Sequence, residues 1–131
     1  MIVDTSALAA VFFREPGFDA LLVKLAQAEA VGIGAPTLVE AGIVLTARLG
    51  FDARAGLTRF LTEAAIVVVP FGDAHWRRSV EAYVTFGKGR HPAGLNYGDC
   101  FSYALAKALG EPLLYKGRDF AQTDVTAFAF D

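Results

Sequence analysis

Hydrophobic patterning predicts an α/β sandwich, a mostly parallel central sheet flanked by helices, folded as one domain over residues 1–131. Short apolar runs alternate with longer segments whose apolar residues recur every three or four positions. The run IVVVPF (66–71) has the composition of a strand buried on both faces, as parallel sheets require. A chain of 131 residues also buries roughly two thirds of its unfolded surface around one core without staples.

Taken in order, Ile2 and Val3 begin a strand that ends at Asp4, and SALAAVFF (6–13) turns helical. Pro16 opens a second helix, residues 17–30, with Phe18, Leu21, Leu22, Leu25 and Ala28 on one face. VGIGA (31–35) is a short strand, and Pro36 falls in the first turn of the next helix, where proline is tolerated. That helix stops at Gly50, and Asp52 is placed to cap the following one, residues 53–65. After the strand at 66–71, Asp73 starts a helix that ends near Phe86. The loop GKGRHPAGL (87–95) leads into a further helix, whose Phe101, Ala104, Leu105, Ala108 and Leu109 form a core-facing stripe. PLLY (112–115) gives another strand, and TAFAF (126–130) alternates as an edge strand does.

Composition narrows the function. Hydrophobic residues make up 54% of the chain, enough to expect an exposed apolar surface for a protein partner. A net charge of −2 excludes a global basic field that draws in nucleic acid, so phosphate binding needs a local patch or metal ions. One cysteine, Cys100, permits no internal disulfide and fits a reducing cytoplasm; its place in an apolar helix reads as core packing. The opening MIVDTSALAAVFF lacks a basic leader, and no stretch reaches the ~18 apolar residues of a membrane helix.

In open parallel sheets, ligands bind beyond the carboxyl ends of the strands. Asp4 follows the first strand, Asp99 opens a late helix, and Asp119 follows PLLY by a short turn. Each has a local explanation: Asp4 as an N-cap, Asp99 at N3 of a capping box with Asn96, Asp119 as a turn residue. Glu40 is harder to dismiss. It shares a helix face with Ile43 and Val44, and a carboxylate on an apolar stripe is costly without a partner. If the four converge on one end of the sheet, they repel, and a hard divalent cation such as Mg²⁺ or Mn²⁺ relieves that repulsion. No Cys/His spacing fits a structural zinc site.

The segments IVDTSALAAVFFREP, APTLVEAGIVL and LNYGDCFSYALAKALGEPLLYKGRDFAQTDV resemble the corresponding parts of PIN-domain ribonucleases of the VapC toxin type, and the resemblance covers nearly the whole chain. It implies a PIN-like fold and a Mg²⁺- or Mn²⁺-dependent endoribonuclease, with Asp4 and Asp99 as main metal ligands and Glu40 and Asp119 completing the site. It also implies an RNA substrate, often structured RNA such as tRNA, a homodimer, and a small VapB-type antitoxin. Gly98 is expected to leave room for close approach at the helix mouth. Thr5 and Ser6 are candidates to orient Asp4 or hold a water. Lys88, Arg90, Lys116 and Arg118, with His91, are candidates for a phosphate-binding patch.

Asp124 reads as a turn residue or a brace for the site, and His75 as structural. The faces LLVKL (21–25) and FLTEAAI (60–66) are expected to serve a dimer or the antitoxin. A haloacid-dehalogenase-like phosphatase is disfavoured because Ser6 stands where a second aspartate is wanted. The non-enzyme alternative is a degenerate PIN domain kept as a protein-binding module.

Overall fold

The structure, a computed structural model, describes residues 1–128. Five strands form one parallel sheet: β1 (Ile2–Val3), β2 (Val31–Gly34), β3 (Ile66–Val69), β4 (Leu113–Leu114) and β5 (Ala127–Phe128). Their spatial order is β3-β2-β1-β4-β5. The chain therefore builds outward from β1 to one edge, then returns to the other side of β1 with β4. The β1/β4 boundary is where the winding reverses, the position at which open parallel sheets bind ligands beyond the carboxyl ends of their strands. Of the expected strand at 126–130, Ala127 and Phe128 pair as β5; residues 129 and 130 lie outside the described residues.

Side chains alternate across the pleat, so β1 and β4 each feed two cores. Val3, Ile33 and Leu114 pack with Leu8, Leu21, Leu45 and Leu57 from α1 (Thr5–Phe12), α2 (Phe18–Gln27), α3 (Ala35–Leu49) and α4 (Arg54–Glu63). Ile2 and Leu113 face the other way, toward Ala82 of α5 (Asp73–Phe86) and Leu105 of α6 (Tyr97–Leu109). Local signals set the helix ends. Gly50 adopts φ 80°, the left-handed conformation that closes α3, and the Asp52 carboxylate accepts the Arg54 N–H at the start of α4.

Burial corrects two expectations and narrows a third. The valine run at 66–69 is an edge strand, not one buried on both faces: Val67 is 65% and Val68 42% exposed, because no strand lies beyond β3. Leu109 is half exposed, and the buried face of α6 runs instead through Gly98, Cys100, Ser102, Ala104, Leu105 and Ala106. In the segment 21–25, Leu21 and Leu25 belong to the core and only Leu22 and Val23 face outward; Phe60 and Leu61 also pack against the core. Among the described residues, no helix is long and apolar enough to cross a membrane.

Candidate functional site

Asp4 leaves the central strand with extended backbone and caps α1, as its position in the sequence predicts. It is also 97% buried, its exposure being 3%, and both carboxylate oxygens are committed. Oδ2 accepts the Ser6 N–H at 3.0 Å and the Ser6 hydroxyl at 2.7 Å. Oδ1 accepts the Ser102 hydroxyl at 2.5 Å, and Thr37 Oγ1 stands 3.4 Å from that hydroxyl. Ser6 Oγ in turn accepts the Lys116 N–H at 3.0 Å, which ties the exit of β4 to the exit of β1. A buried carboxylate needs such donors, since without them burial favours its neutral form.

Glu40 has its partner too. Its Oε1 accepts the Thr5 hydroxyl at 2.5 Å. Thr5 and Ser6 thus divide between two acids: Ser6 orients Asp4 and Thr5 holds Glu40. The stripe that Glu40 shares with Ile43 is not core, for Val39 and Ile43 are exposed and border an apolar groove with Tyr97 and Phe101.

Asp99 stands at N3 of α6 in the capping box expected from Asn96. The Asn96 N–H donates to Asp99 Oδ2 at 3.0 Å, and the Asp99 N–H donates to Asn96 Oδ1 at 2.9 Å. Burial pushes its pKa up to about 7, with the Asn96 N–H opposing and the charges of Asp4, Asp119 and Glu40 adding to the rise. The four acids singled out in the sequence therefore share one electrostatic neighbourhood at the carboxyl end of the sheet. Asp119 is its exposed member, at the start of a short 3₁₀ turn (Phe120–Gln122) with no side-chain capping bond.

The donor set is all oxygen, the chemistry of a hard divalent cation. Among the described residues, no three Asp, Glu, His or Cys side chains are drawn together closely enough to hold a metal as they stand. Asp4, Glu40 and Asp99 each rest on protein donors.

The basic residues do not act as one group. Lys116 Nζ is paired with Glu15 Oε1 at 3.0 Å, and Arg48 lies 3.6 Å from Glu15 Oε2 and over the Phe13 ring. The Lys116 hydrogen bond, with help from Arg48, holds the Glu15 carboxyl below its usual range. Lys88, Arg90 and Arg118 are exposed; the Arg90 guanidinium leans on Tyr83 and donates to the Val84 carbonyl. Both histidines are structural: His91 Nδ1 accepts the Ala93 N–H and His75 Nδ1 the Gly72 N–H. Asp124 accepts the Tyr103 hydroxyl and pairs with Lys107, fastening the last turn to α6. Burial pushes the Cys100 thiol up to about 11, which keeps it protonated and unreactive.

Three contributors escape a reading of the sequence: Ser102, Thr37 and Glu15. Ser102 left a trace, a hydroxyl three residues after Asp99 between Phe101 and Ala104, but its partner Asp4 lies 98 positions away.

Comparison with known proteins follows the same lines. The PIN-domain family model matches residues 1–125. "Ribonuclease VapC" of Mycolicibacterium smegmatis is 42% identical over 127 residues, covering 97% of this chain and 98% of that protein. "Ribonuclease VapC28" of Mycobacterium tuberculosis is 44% identical over 126 residues, 95% of each. Among solved structures, VapBC2 from Rickettsia felis, bound to a DNA fragment from its promoter, shares the fold with a TM-score of 0.78 at 14% identity, over 99% of this chain and 98% of that one.

Proposed function

The chain belongs to the PIN-domain family, among relatives of the VapC ribonucleases, and from that premise we propose that it is a divalent-metal-dependent endoribonuclease, the toxin of a toxin–antitoxin pair. One observation supports the reading: burial, with added repulsion from Asp4, Asp119 and Glu40, raises the Asp99 carboxyl at the mouth of α6 to about 7. A carboxyl raised by its acidic neighbours is what a site for a doubly charged ion offers.

Asp4, Glu40, Asp99 and Asp119 would hold Mg²⁺ or Mn²⁺, which supplies Lewis acidity toward a phosphodiester and its attacking water. The chain's own part is preorganisation. Ser6 and Ser102 fix both oxygens of Asp4, Thr5 holds Glu40, and Asn96 fixes Asp99. A carboxyl that titrates near neutral pH releases its proton on ion capture, so ion affinity rises with pH through that range. Lys88, Arg90 and Arg118 offer charge to RNA phosphates from exposed positions, whereas Lys116 is already neutralised by Glu15. A structured RNA such as tRNA is the proposed substrate.

Two partners complete the proposal. A small VapB-type antitoxin accords with the VapBC complex among the solved structures of this fold. A homodimer is supported by exposed apolar side chains on neighbouring helices: Ile43 on α3, Trp76, Val80 and Val84 on α5, and Tyr97 on α6.

Cleavage of total RNA by the purified protein with Mn²⁺ or Mg²⁺ tests the reading, beside EDTA and Asp99→Asn controls. Discrete fragments that vanish in both controls are expected. Wild type and Asp99→Asn behaving alike would remove the four-acid mechanism and favour the protein-binding module.

A further inference from the structure

Gly98 is the second residue of α6, buried and in ordinary helical backbone, so no positive φ calls for a glycine there. Glycine is a poor helix former, and its presence needs a reason. Space supplies one. A Cβ built at Gly98 would overlap Glu40 Oε2 and stand 2.6 Å from the carboxyl carbon. The other oxygen of the same carboxylate accepts the Thr5 hydroxyl. Glu40 is thus clamped between a hydroxyl of α1 and the bare Cα of α6, one residue from Asp99. The contrast with Gly87 is informative: there an added Cβ would strike the Tyr83 backbone carbonyl, which cannot move. At Gly98 the obstacle is only the free end of a side chain. A methyl group at 98 would leave the fold standing and turn the carboxylate out.

We propose that Gly98 is a positioning residue for Glu40: the volume its missing side chain leaves is where the Glu40 carboxylate lies, and any larger residue there removes the fourth acid from the cluster. The functional consequence rests on the nuclease reading; the contact itself does not. The first turn of α6 also suits its guest, because helix N-termini favour negative charge.

A double-mutant cycle of Gly98→Ala and Glu40→Ala tests this with two readouts, the Mn²⁺ dissociation constant by calorimetry and the melting temperature in chelator. Each single substitution should weaken Mn²⁺ binding about tenfold or more, the usual cost of disturbing a ligand's support. The double variant should bind no more weakly than the weaker single, since both remove one carboxylate. In chelator, Gly98→Ala should raise the melting temperature more in the Glu40→Ala background, where the new methyl meets no carboxylate. Wild-type Mn²⁺ affinity in Gly98→Ala, or equal melting increments in the two backgrounds, would overturn the proposal. A wild-type chain that binds no Mn²⁺ would sink the nuclease reading instead, and the melting cycle alone would then decide whether Gly98 positions Glu40.

Discussion

Asp99 receives the Asn96 N–H, which favours its ionised form, yet burial and three neighbouring acids carry its pKa up to about 7 from an ordinary 3.8. The folded state therefore holds this proton more tightly than the unfolded state, and linkage makes the metal-free protein lose stability as pH rises from about 4 to about 7. Asp99→Asn cannot ionise and escapes that loss. In chelator, its melting temperature relative to wild type should climb across that window and level off above it. A difference that stays constant with pH would contradict the coupling. Ser102→Ala removes a buried donor from Asp4 and should cost about 1–3 kcal/mol in denaturant melts. The capping roles of Asp4 and Asp99 were legible because their bonds span two or three residues. The bond from Ser102 to Asp4, the division of Thr5 from Ser6, and the pairing of Lys116 with Glu15 were not, because folding alone brings those partners together.

At the scale of elements, periodicity located the helices and strands well but could not rank the strands. IVVV has the composition of a central strand; its burial depends on strand order, which places it at the edge. For the same reason the apolar surface expected from composition could not be assigned to the right helices. It lies mainly on α3, α5 and α6, with Leu22 and Val23 adding to it from 21–25. Ile43→Glu and Val80→Glu change exposed positions, so each should leave folding stability within about 0.5 kcal/mol. Each should also convert a dimer to a monomer in size-exclusion chromatography with light scattering. A dimer that survives both would move the interface elsewhere. The α6 capping box offers a local check: Asn96→Ala should cost about 1 kcal/mol in denaturant melts and loosen Asp99 with it.

On the proposed reading, a bound cation would reconcile this acidic chain with an acidic polymer. Winding outward from β1 and back beside it puts Asp4 at the reversal of the sheet, and α3, α6 and the loop after β4 bring Glu40, Asp99 and Asp119 to the same end. On the proposed reading, the repulsion so concentrated would drive the binding of a doubly charged ion. Hydrogen bonds from Ser6, Ser102, Thr5 and Asn96 hold Asp4, Glu40 and Asp99 in place. The most direct measurement of that claim is anomalous diffraction from crystals of the protein grown with Mn²⁺. A peak within coordination distance of Asp4 and Asp99, with Glu40 and Asp119 turned toward it directly or through water, is the predicted result. Manganese held elsewhere on the chain, with the four carboxylates unchanged, would contradict it.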